Sequence, residues 1–400
     1  YLGGLKGSAG APLFNEAFLN YLQRMELELT VHAMPEGTAA FPNQPMLRVE
    51  GPILQCQLVE TGLLTLINFS TLLATKAARI VDAAQGDSVL EFGMRRSQGL
   101  DGAMTAARAT YIGGVHATSN VMAGRIYGIP VKGTHAHSWV MAYEDELLAF
   151  RQYAEALPGN CIFLVDTYDT EAGVRNAIRV GQWLREQGYE MNGIRLDSGD
   201  LTALSQKARQ MLDEAGFKNA AIVASNDLDE YRIAQLKKEG AKITVWGVGT
   251  RLATGHGDPA LGGVYKLAGI QNEHGEWEDR IKRSEEAVKS SHPGILQVWR
   301  SEKEGQYQGD VLYDIRHGFE GAQLWEESQN RYLTLEATNG QDLLVPVLDR
   351  GQLVYDFPRL SDIRTYAAEQ WQQFSGRASY PYGLSTGVQE AKSAMIATAE

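Results

Sequence analysis

Residues 161–200 read CIFLVDTYDTEAGVRNAIRVGQWLREQGYEMNGIRLDSGD, and this stretch decides the fold class. An apolar run ends at Asp166, an amphipathic helical pattern covers residues 172–187, and a second apolar run ends at Asp197. Apolar runs without alternation are typical of strands buried on both faces, as in parallel sheets whose strands are joined by helices. The stretch therefore predicts a β-α-β unit with an acidic side chain at the end of each strand.

The same pattern continues on both sides of this stretch, over residues 85–270. Apolar runs that end in polar or glycine residues lie at 89–92, 129–131, 161–165, 193–196, 221–224 and 243–246, with a candidate seventh at 263–267. Helical patterns over residues 201–215 and 228–239 separate the later runs. Six or seven strand-helix units in series favour a closed β/α barrel, in which active sites lie at the carboxyl ends of the strands.

The flanking segments, residues 1–84 and 271–400, have a different pattern. Residues 28–53 predict strands broken by prolines, and residues 295–356 alternate apolar and polar side chains as antiparallel strands do. The hairpin turns are expected at Glu304-Gly305, Asn339-Gly340 and Arg350-Gly351. A helix is expected from residue 361 and an extended end from residue 380. We therefore expect an irregular β/α barrel over residues 85–270 and a flanking mixed α/β domain built from both chain ends.

Composition and charge limit the class of partner. The net charge of −12 disfavours nucleic acid and anionic membranes, because the field of the protein repels polyanions. The apolar stretch at residues 63–74 is too short to cross a bilayer. The two cysteines, Cys56 and Cys161, match no metal-ligand spacing, and their small number fits a reducing compartment. We expect a cytoplasmic protein without a nucleic-acid or membrane partner.

Two histidines follow a predicted strand in the sequence GTHAHS at residues 133–138. A barrel metallohydrolase would need further histidine ligands at later strand ends, and the other six histidines lie elsewhere. A nucleophilic or electrostatic role is the second interpretation, and a histidine satisfied by backbone groups is the third. The carboxylate-rich rim of the predicted barrel favours a functional role for His137.

Two carboxylates stand at another strand end in the sequence LDSGD at residues 196–200. Asp197 and Asp200 are hard oxygen ligands of the kind that Mg²⁺ prefers, and they are also able to contact ribose hydroxyls. Asp200 precedes a predicted helix, so a helix N-cap is an equal alternative for that residue. Asp197 is the stronger candidate for a role in catalysis.

Two further strand ends carry groups suited to anions. The sequence GVGT at residues 247–250 exposes backbone N–H groups where barrel phosphate sites usually lie, although tight turns also need glycine. The sequence EFGMRR at residues 91–96 supplies Phe92, Arg95 and Arg96, and guanidinium groups bind carboxylates or phosphates in pairs of hydrogen bonds. These residues predict a barrel enzyme that acts on a phosphorylated, anionic small molecule.

Together these motifs resemble the nicotinate phosphoribosyltransferase family. The matching strings occur in the family order: PEGT (35–38), FP (41–42), VEGP (49–52), TKAAR (75–79), EFGMRR (91–96), GG (113–114), TSN (118–120), GTHAHS (133–138), RLDSGD (195–200), WGVGT (246–250) and LGGVYK (261–266). The family also carries an upstream Asp-Leu-Tyr-like motif whose aromatic ring stacks on the base, and the resemblance begins after that motif.

The resemblance implies a type II phosphoribosyltransferase fold and a homodimer with sites at the subunit interface. It implies transfer of phosphoribose from phosphoribosyl pyrophosphate to nicotinate, with ATP hydrolysis and Mg²⁺, for NAD synthesis. The alternatives are transfer to nicotinamide or quinolinate, or a metal-dependent barrel hydrolase. Neutral donors at Ser119 and Asn120, with positive charge at Arg95 and Arg96, favour nicotinate among the three bases.

The resemblance also implies roles for individual residues. His137 is expected to accept a phosphoryl group from ATP, and Arg195 and Asp197 to act beside the ribose and pyrophosphate, with Asp197 and Asp200 near Mg²⁺. The expected base-side residues are Phe92, Arg95, Arg96, Ser119, Asn120, Thr134 and Ser138. The expected phosphate-side residues are Ser225, Asn226, Gly247, Gly249 and Thr250.

Overall fold

A computed structural model describes residues 1–282, 291–319, 323–336, 339–374 and 379–397 of the chain. The chain divides into two compact units. The first, here called the barrel unit, comprises residues 65–263 and 358–369. The second, here called the flanking unit, comprises residues 1–64, 264–357 and 370–400. The barrel limits of 85 and 270 drawn from the sequence stay a prediction.

The strands, in chain order, are β1 (Thr30–Ala33), β2 (Leu47–Glu50), β3 (Ser88–Glu91), β4 (Ala117–Thr118), β5 (Ile162–Leu164), β6 (Gly193–Leu196), β7 (Ala221–Ala224), β8 (Val245–Val248), β9 (Gly269–Gln271), β10 (Trp277–Asp279), β11 (Leu296–Lys303), β12 (Gln306–Asp314), β13 (Gln323–Glu326), β14 (Arg331–Thr334), β15 (Asn339–Asp342), β16 (Val345–Asp349), β17 (Gln352–Leu353) and β18 (Tyr382–Leu384). The α-helices are α1 (Glu16–Arg24), α2 (Ile53–Leu58), α3 (Glu60–Ala83), α4 (Gly99–Ile112), α5 (Val121–Tyr127), α6 (His137–Met141), α7 (Glu146–Ala156), α8 (Thr170–Glu186), α9 (Leu201–Glu214), α10 (Glu230–Lys238), α11 (Thr250–Ala253), α12 (Leu360–Gln373) and α13 (Thr386–Ala397).

The barrel unit is built on a parallel sheet with the spatial order β4-β3-β8-β7-β6-β5. Its first and last strands along the chain, β3 and β8, lie side by side, with Val89 opposite Trp246. The first and last strands of a β/α barrel lie side by side in this way, and here β4 and β5 remain as the two edges of the hydrogen-bonded sheet. The predicted irregular barrel is therefore confirmed, and its carboxyl strand ends lie on one rim.

The barrel has one seam that a main-chain ladder does not close. The segment around Val131 hydrogen-bonds with β4 through Thr118, whose N–H donates to Pro130 and whose carbonyl accepts from Lys132. Among the described residues, no ladder joins this segment to β5. There, the main-chain N–H of Leu164 donates to Nε2 of His135 at 3.2 Å. A side chain thus completes the circle of strands.

The strand predictions were correct in most positions and wrong in two. Residues 263–267 form no strand, and residues 129–131 contribute only the bridge between Thr118 and Val131. The missing barrel position is filled by β4, which is two residues long and too short for any hydrophobic period to reveal. The predicted helices at 172–187, 201–215 and 228–239 are confirmed as α8, α9 and α10.

Helix α3 is longer than the apolar stretch at residues 63–74 that the sequence indicated. It has 24 residues and contains an 18-residue window with a mean hydropathy of 1.2, so by length and composition it is able to cross a bilayer, and the sequence argument that this stretch is too short was wrong. Such a helix alone is weak evidence for a membrane span, because core helices of soluble proteins share these properties. Leu73, Ala77 and Ile80 are fully buried, and Lys76 pairs with Glu230 at 2.8 Å.

The flanking unit takes strands from both ends of the chain, as predicted. Its four-stranded sheet has the order β17-β16-β1-β2, so Val31 of β1 lies opposite Val49 on one side and Leu348 on the other. The predicted turn at Glu304-Gly305 joins β11 to β12, and the predicted turn at Arg350-Gly351 joins β16 to β17.

Two expectations about the flanking unit were wrong. Asn339 and Gly340 lie within β15 and not in a turn, and a Cβ on Gly340 would meet the Trp299 ring at 2.2 Å, so the glycine serves strand packing. The expected extended end contains β18, parallel to β12, followed by α13. The expectation of an extended end was right for β18 and wrong for the helix α13 that begins at Thr386.

Candidate active site

Arg195 connects three strand ends on the rim of the barrel. Its Nε donates to Ser225 Oγ at 2.8 Å, one terminal nitrogen donates to Thr134 Oγ1 at 2.9 Å, and the other donates to Asp197 Oδ1 at 2.8 Å. The three partners belong to the segments after β7, before α6 and after β6. The structure therefore brings together four residues that the sequence predicted for the site.

Asp197 is held in its ionised form. Burial raises the pKa of its carboxyl, but the hydrogen bond from Ser225 and the charge of Arg195 outweigh burial, and the net pKa lies below the usual value. Its main-chain N–H donates to Asp166 Oδ2 at 2.8 Å, and Ser198 donates to the same oxygen at 2.6 Å. The site thus presents a fixed negative charge beside a fixed guanidinium group.

The two histidines of residues 133–138 have different surroundings. His135 is buried, and burial lowers the pKa of its imidazole to about 4, so the ring is neutral at pH 7. His137 begins α6, and its side chain is 39% exposed. Its Nδ1 lies 3.1 Å from Thr167 Oγ1, and its Nε2 lies 3.7 Å from Asp197 Oδ2. His137 is the histidine that a ligand is able to reach, and its neighbour Ser138 is exposed.

A cavity of about 500 Å³ opens beside this network, after β3 and β4. It is lined by Phe92, Met94, Arg95, Ser97, Gly99, Leu100 and Ser119. The guanidinium carbon of Arg195 lies 5.9 Å from the centre of the Phe92 ring. The cavity therefore combines an aromatic wall with a cationic group and neutral donors, which suits a flat anionic ring.

Four residues that the sequence placed with the base are not among the residues lining this cavity: Arg96, Asn120, Thr134 and Ser138. Arg96 is exposed, and only its neighbour Arg95 lines the cavity. Asn120 is buried, and its side chain caps α5 by accepting from the N–H of Ala123 at 3.1 Å. These contacts show that Asn120 serves as the N-cap of α5.

The expected phosphate side has an unusual backbone. Asn226 and Asp227 follow Ser225 with positive φ angles of 96° and 46°, a conformation that costs energy for residues other than glycine and is common at functional sites. Thr250 begins the short helix α11, directly after Gly249. Gly247 instead lies inside β8, where a Cβ would meet the Phe92 ring at 2.8 Å.

Of the two expected Mg²⁺ ligands, Asp200 is occupied as a helix cap and Asp197 remains at the site. Asp200 caps α9, accepting from the N–H groups of Thr202 and Ala203 at 3.0 and 3.1 Å. Within the described ranges, no group of three or more His, Cys, Asp or Glu side chains is arranged to hold a metal. Asp166 retains a buried oxygen without a hydrogen-bond partner. Because Mg²⁺ usually takes one or two carboxylates and completes its shell with substrate phosphates and water, Asp166 and Asp197 fit such an ion.

Sequence reasoning missed Thr167 and Glu91. Thr167 contacts the His137 ring, and its position directly after a strand-end aspartate was the available signal. Glu91 is 1% exposed, and burial raises the pKa of its carboxyl. A glutamate at the end of an otherwise apolar run was visible, but its burial depends on the barrel and not on the local sequence.

A parallel β/α barrel whose strand ends gather an ion pair, a reachable histidine and a mostly apolar cavity belongs to the class of β/α-barrel enzymes for anionic small molecules. Comparison with known proteins narrows the class. Residues 8–68 match the family model described as nicotinate phosphoribosyltransferase (NAPRTase) N-terminal domain, and residues 88–273 match the model described as the nicotinate phosphoribosyltransferase (NAPRTase) family.

Individual relatives agree with these matches. The chain is 45% identical to the nicotinate phosphoribosyltransferase of Bacillus subtilis, an alignment that spans 93% of this chain and 78% of that protein. The crystal structure of human nicotinic acid phosphoribosyltransferase superposes with a TM-score of 0.81 at 30% identity, covering 96% of this chain and 86% of that one. A nicotinate-nucleotide pyrophosphorylase from Pyrococcus furiosus gives a TM-score of 0.70 at 26% identity, with coverages of 88% and 82%. The chain belongs to the nicotinate phosphoribosyltransferase family.

Proposed function

We propose that this chain transfers the phosphoribosyl group of phosphoribosyl pyrophosphate to nicotinate, with ATP hydrolysis, and releases nicotinate mononucleotide and pyrophosphate. The observation that carries the proposal is the set of three bonds from Arg195 to Ser225, Thr134 and Asp197, beside the cavity lined by Phe92. Family membership supplies the reaction class. The product is a precursor in NAD synthesis.

The cavity is assigned to the pyridine ring of nicotinate. Phe92 offers a ring face for stacking, and Arg95 and Ser119 offer donors to the nicotinate carboxylate. A carboxylate needs donors, whereas the amide of nicotinamide would also use an acceptor. Quinolinate has two carboxylates and would need further basic groups. The lining therefore supports nicotinate over the two alternative bases.

The transfer itself is a displacement at ribose C1. The bond from C1 to pyrophosphate breaks, the pyridine nitrogen forms the new bond, and positive charge builds on the sugar in between. The ionised carboxylate of Asp197 stabilises that charge, and Arg195 fixes the orientation of the carboxylate. Mg²⁺ held by Asp197 and Asp166 would neutralise the pyrophosphate. Ser225, Asn226, Gly249 and Thr250 are assigned to the 5′-phosphate.

The coupling to ATP is assigned to His137. Its Nδ1 is occupied by Thr167, which leaves Nε2 as the phosphoryl acceptor. The bond from Nε2 to the γ-phosphorus forms as the bond to ADP breaks, and water later releases the phosphate. Phosphoryl transfer needs positioning and charge neutralisation more than covalent help from the protein. His135 is unsuitable because its Nε2 already accepts from Leu164.

Homodimer formation and a cytoplasmic location are part of the same proposal. Helix α5 exposes Val121, Met122 and Ile126, each more than half accessible, as an apolar surface that a second subunit would cover. The free cysteines Cys56 and Cys161 accord with a reducing compartment. Neither nucleic acid nor a membrane surface is proposed as a partner. Light scattering of the purified chain would measure the mass of the assembly.

The decisive experiment measures product formation from nicotinate, nicotinamide and quinolinate separately. Each base is mixed with phosphoribosyl pyrophosphate and Mg²⁺, with and without ATP, and the Arg195→Ala variant serves as the inactive control. We expect nicotinate mononucleotide, formed faster with ATP. Product from nicotinamide or quinolinate alone would reject the assignment of the base, and an equal rate without ATP would reject the coupling.

A further inference from the structure

Glu91 is a buried carboxylate to which the reaction assigns no chemistry. It ends β3 with 1% of its surface exposed, on the same face of the strand as the fully buried Val89. Burying a carboxylate is costly unless hydrogen bonds replace its water. The bonds that Glu91 accepts therefore indicate what its burial achieves.

The carboxylate joins the segments that follow two neighbouring strands. One oxygen accepts from the N–H of Gly93, and the other accepts from the Thr118 hydroxyl at 2.6 Å. The same hydroxyl accepts from the N–H of Asn120 at 3.0 Å. The main-chain carbonyl of Glu91 accepts from the N–H of Ser119 at 2.9 Å. Glu91 thus bonds to the segment after β3 and to the segment after β4.

Those two segments both line the cavity. Phe92 and Arg95 lie in the segment that follows β3, and Ser119 lies in the segment that follows β4. The glycine at position 93 keeps the first segment close to the carboxylate, because a Cβ there would meet Glu91 Oε1 at 2.9 Å and the Gly249 carbonyl at 2.8 Å. Glu91 is therefore hydrogen-bonded to both of the segments that line the cavity.

We propose that Glu91 is a positioning residue that holds Phe92 and Arg95 at a fixed distance from Ser119, and so determines how tightly nicotinate is bound. The proposal rests on the proposed function, because nicotinate is the ligand of this cavity. Glu91 is not among the residues that line the cavity. Its effect passes through Gly93 in one segment and through Thr118 before the other.

The hydrogen-bonding groups of Glu91 and Thr118 determine which substitutions test the proposal. A carboxylate accepts from both Gly93 and Thr118, whereas the amide of Glu91→Gln has one acceptor oxygen, so its nitrogen forces the Thr118 hydroxyl to accept in place of donating. Thr118→Val removes the hydroxyl at nearly unchanged volume, and Thr118→Ser restores it. Misplacement of binding groups by about 1 Å costs up to about 100-fold in rate.

The experiment compares steady-state kinetics and thermal midpoints of variants of this chain. We expect Glu91→Gln and Thr118→Val to raise the KM for nicotinate about tenfold, with the KM for phosphoribosyl pyrophosphate within about twofold of wild type. Thr118→Ser should return the KM for nicotinate to within about twofold. The matched control is Asp87→Asn, since Asp87 precedes β3 at the other end and also accepts two bonds, from Lys237 at 2.7 Å and Trp246 at 3.0 Å. This control should lower the midpoint and leave both KM values unchanged.

The outcomes separate the positioning role from the enzymatic function. If wild type is active but Glu91→Gln and Thr118→Val leave the KM for nicotinate unchanged, the positioning role alone is overturned. Equal increases in the KM for nicotinate and the KM for phosphoribosyl pyrophosphate would overturn it as well. If Glu91→Gln fails to fold, the Thr118→Val and Thr118→Ser pair decides the question. Wild type that forms no nicotinate mononucleotide overturns the proposed function, and the positioning role with it.

Discussion

The Asp197 carboxylate lies 3.7 Å from Nε2 of His137, although the two residues are 60 positions apart in the chain. The opposite nitrogen of the ring lies 3.1 Å from the Thr167 hydroxyl. The ring is therefore oriented by one nitrogen and faces the ionised carboxylate with the other. This relationship places the residue proposed for phosphorylation beside the residue proposed to stabilise the ribose.

Substitution of His137 tests the coupling to ATP. His137→Ala should abolish ATP hydrolysis and remove the stimulation of nucleotide formation by ATP, because no other nitrogen at that position accepts the phosphoryl group. The thermal midpoint should change little, since the side chain is partly exposed. Phosphate release and nucleotide formation are measured together. An ATPase rate equal to wild type would assign the phosphorylated role to another residue.

Asp197→Asn separates charge from shape. Asparagine is nearly isosteric and still accepts one hydrogen bond, but it cannot stabilise positive charge on the ribose. We expect kcat to fall about 100- to 1,000-fold, the loss typical of a removed electrostatic group, with a small change in thermal midpoint. Circular dichroism and initial rates provide the two measurements. A large loss of stability with near-normal kcat would contradict the assigned role.

Arg195→Lys tests the importance of the guanidinium geometry. A lysine keeps the charge but cannot reach Ser225, Thr134 and Asp197 in three fixed directions. We expect kcat/KM for phosphoribosyl pyrophosphate to fall about 100-fold. The control is Arg175→Lys on α8, where an exposed pair with Glu171 at 3.6 Å contributes little. Equal rates for both variants would show that charge alone suffices.

Gly247→Ala tests the packing behind the cavity. The new methyl group would lie 2.8 Å from the Phe92 ring, so the ring must move from its present position beside the cavity. We expect a higher KM for nicotinate and a loss of about 1–3 kcal/mol in the free energy of unfolding. Gly62→Ala, on the exposed face of α3 with no atom within 4 Å, should be neutral or stabilising. An unchanged KM in Gly247→Ala would remove Phe92 from the base site.

The buried imidazole of His135 predicts a dependence of stability on pH. Burial lowers its pKa from 6.5 to about 4 in the folded protein, so between these values the unfolded state binds the extra proton. Stability from this group is complete above pH 6.5 and is lost as the pH falls toward 4, by up to about 1.4 kcal/mol per pH unit. His135→Gln keeps an acceptor for Leu164 without titrating. Denaturant unfolding from pH 7 to 4 should show a smaller decline for this variant, and parallel declines would contradict the prediction.

Sequence reasoning predicted those site residues that lie at the carboxyl ends of the parallel strands. The ends of parallel strands converge on one rim, so Arg195, Asp197 and Ser225 could be grouped before any coordinates. Asn120 and Asp200 show the limit of that reasoning, because a polar residue at a strand end is often also the N-cap of the next helix. Glu91 was missed because its partner Thr118 belongs to a two-residue strand that only the closed barrel reveals.

The seam at His135 has a consequence for local unfolding. Ladder hydrogen bonds between barrel strands are made by backbone atoms, which survive almost any substitution, whereas the bond from Leu164 to His135 depends on one side chain. Regions with few backbone links open at lower free energy than the rest of a domain. Backbone amides beside this seam should therefore exchange their hydrogens with solvent faster than amides in the ladder-paired strands of the barrel. We expect the segment that carries His137 to open before the rest of the barrel.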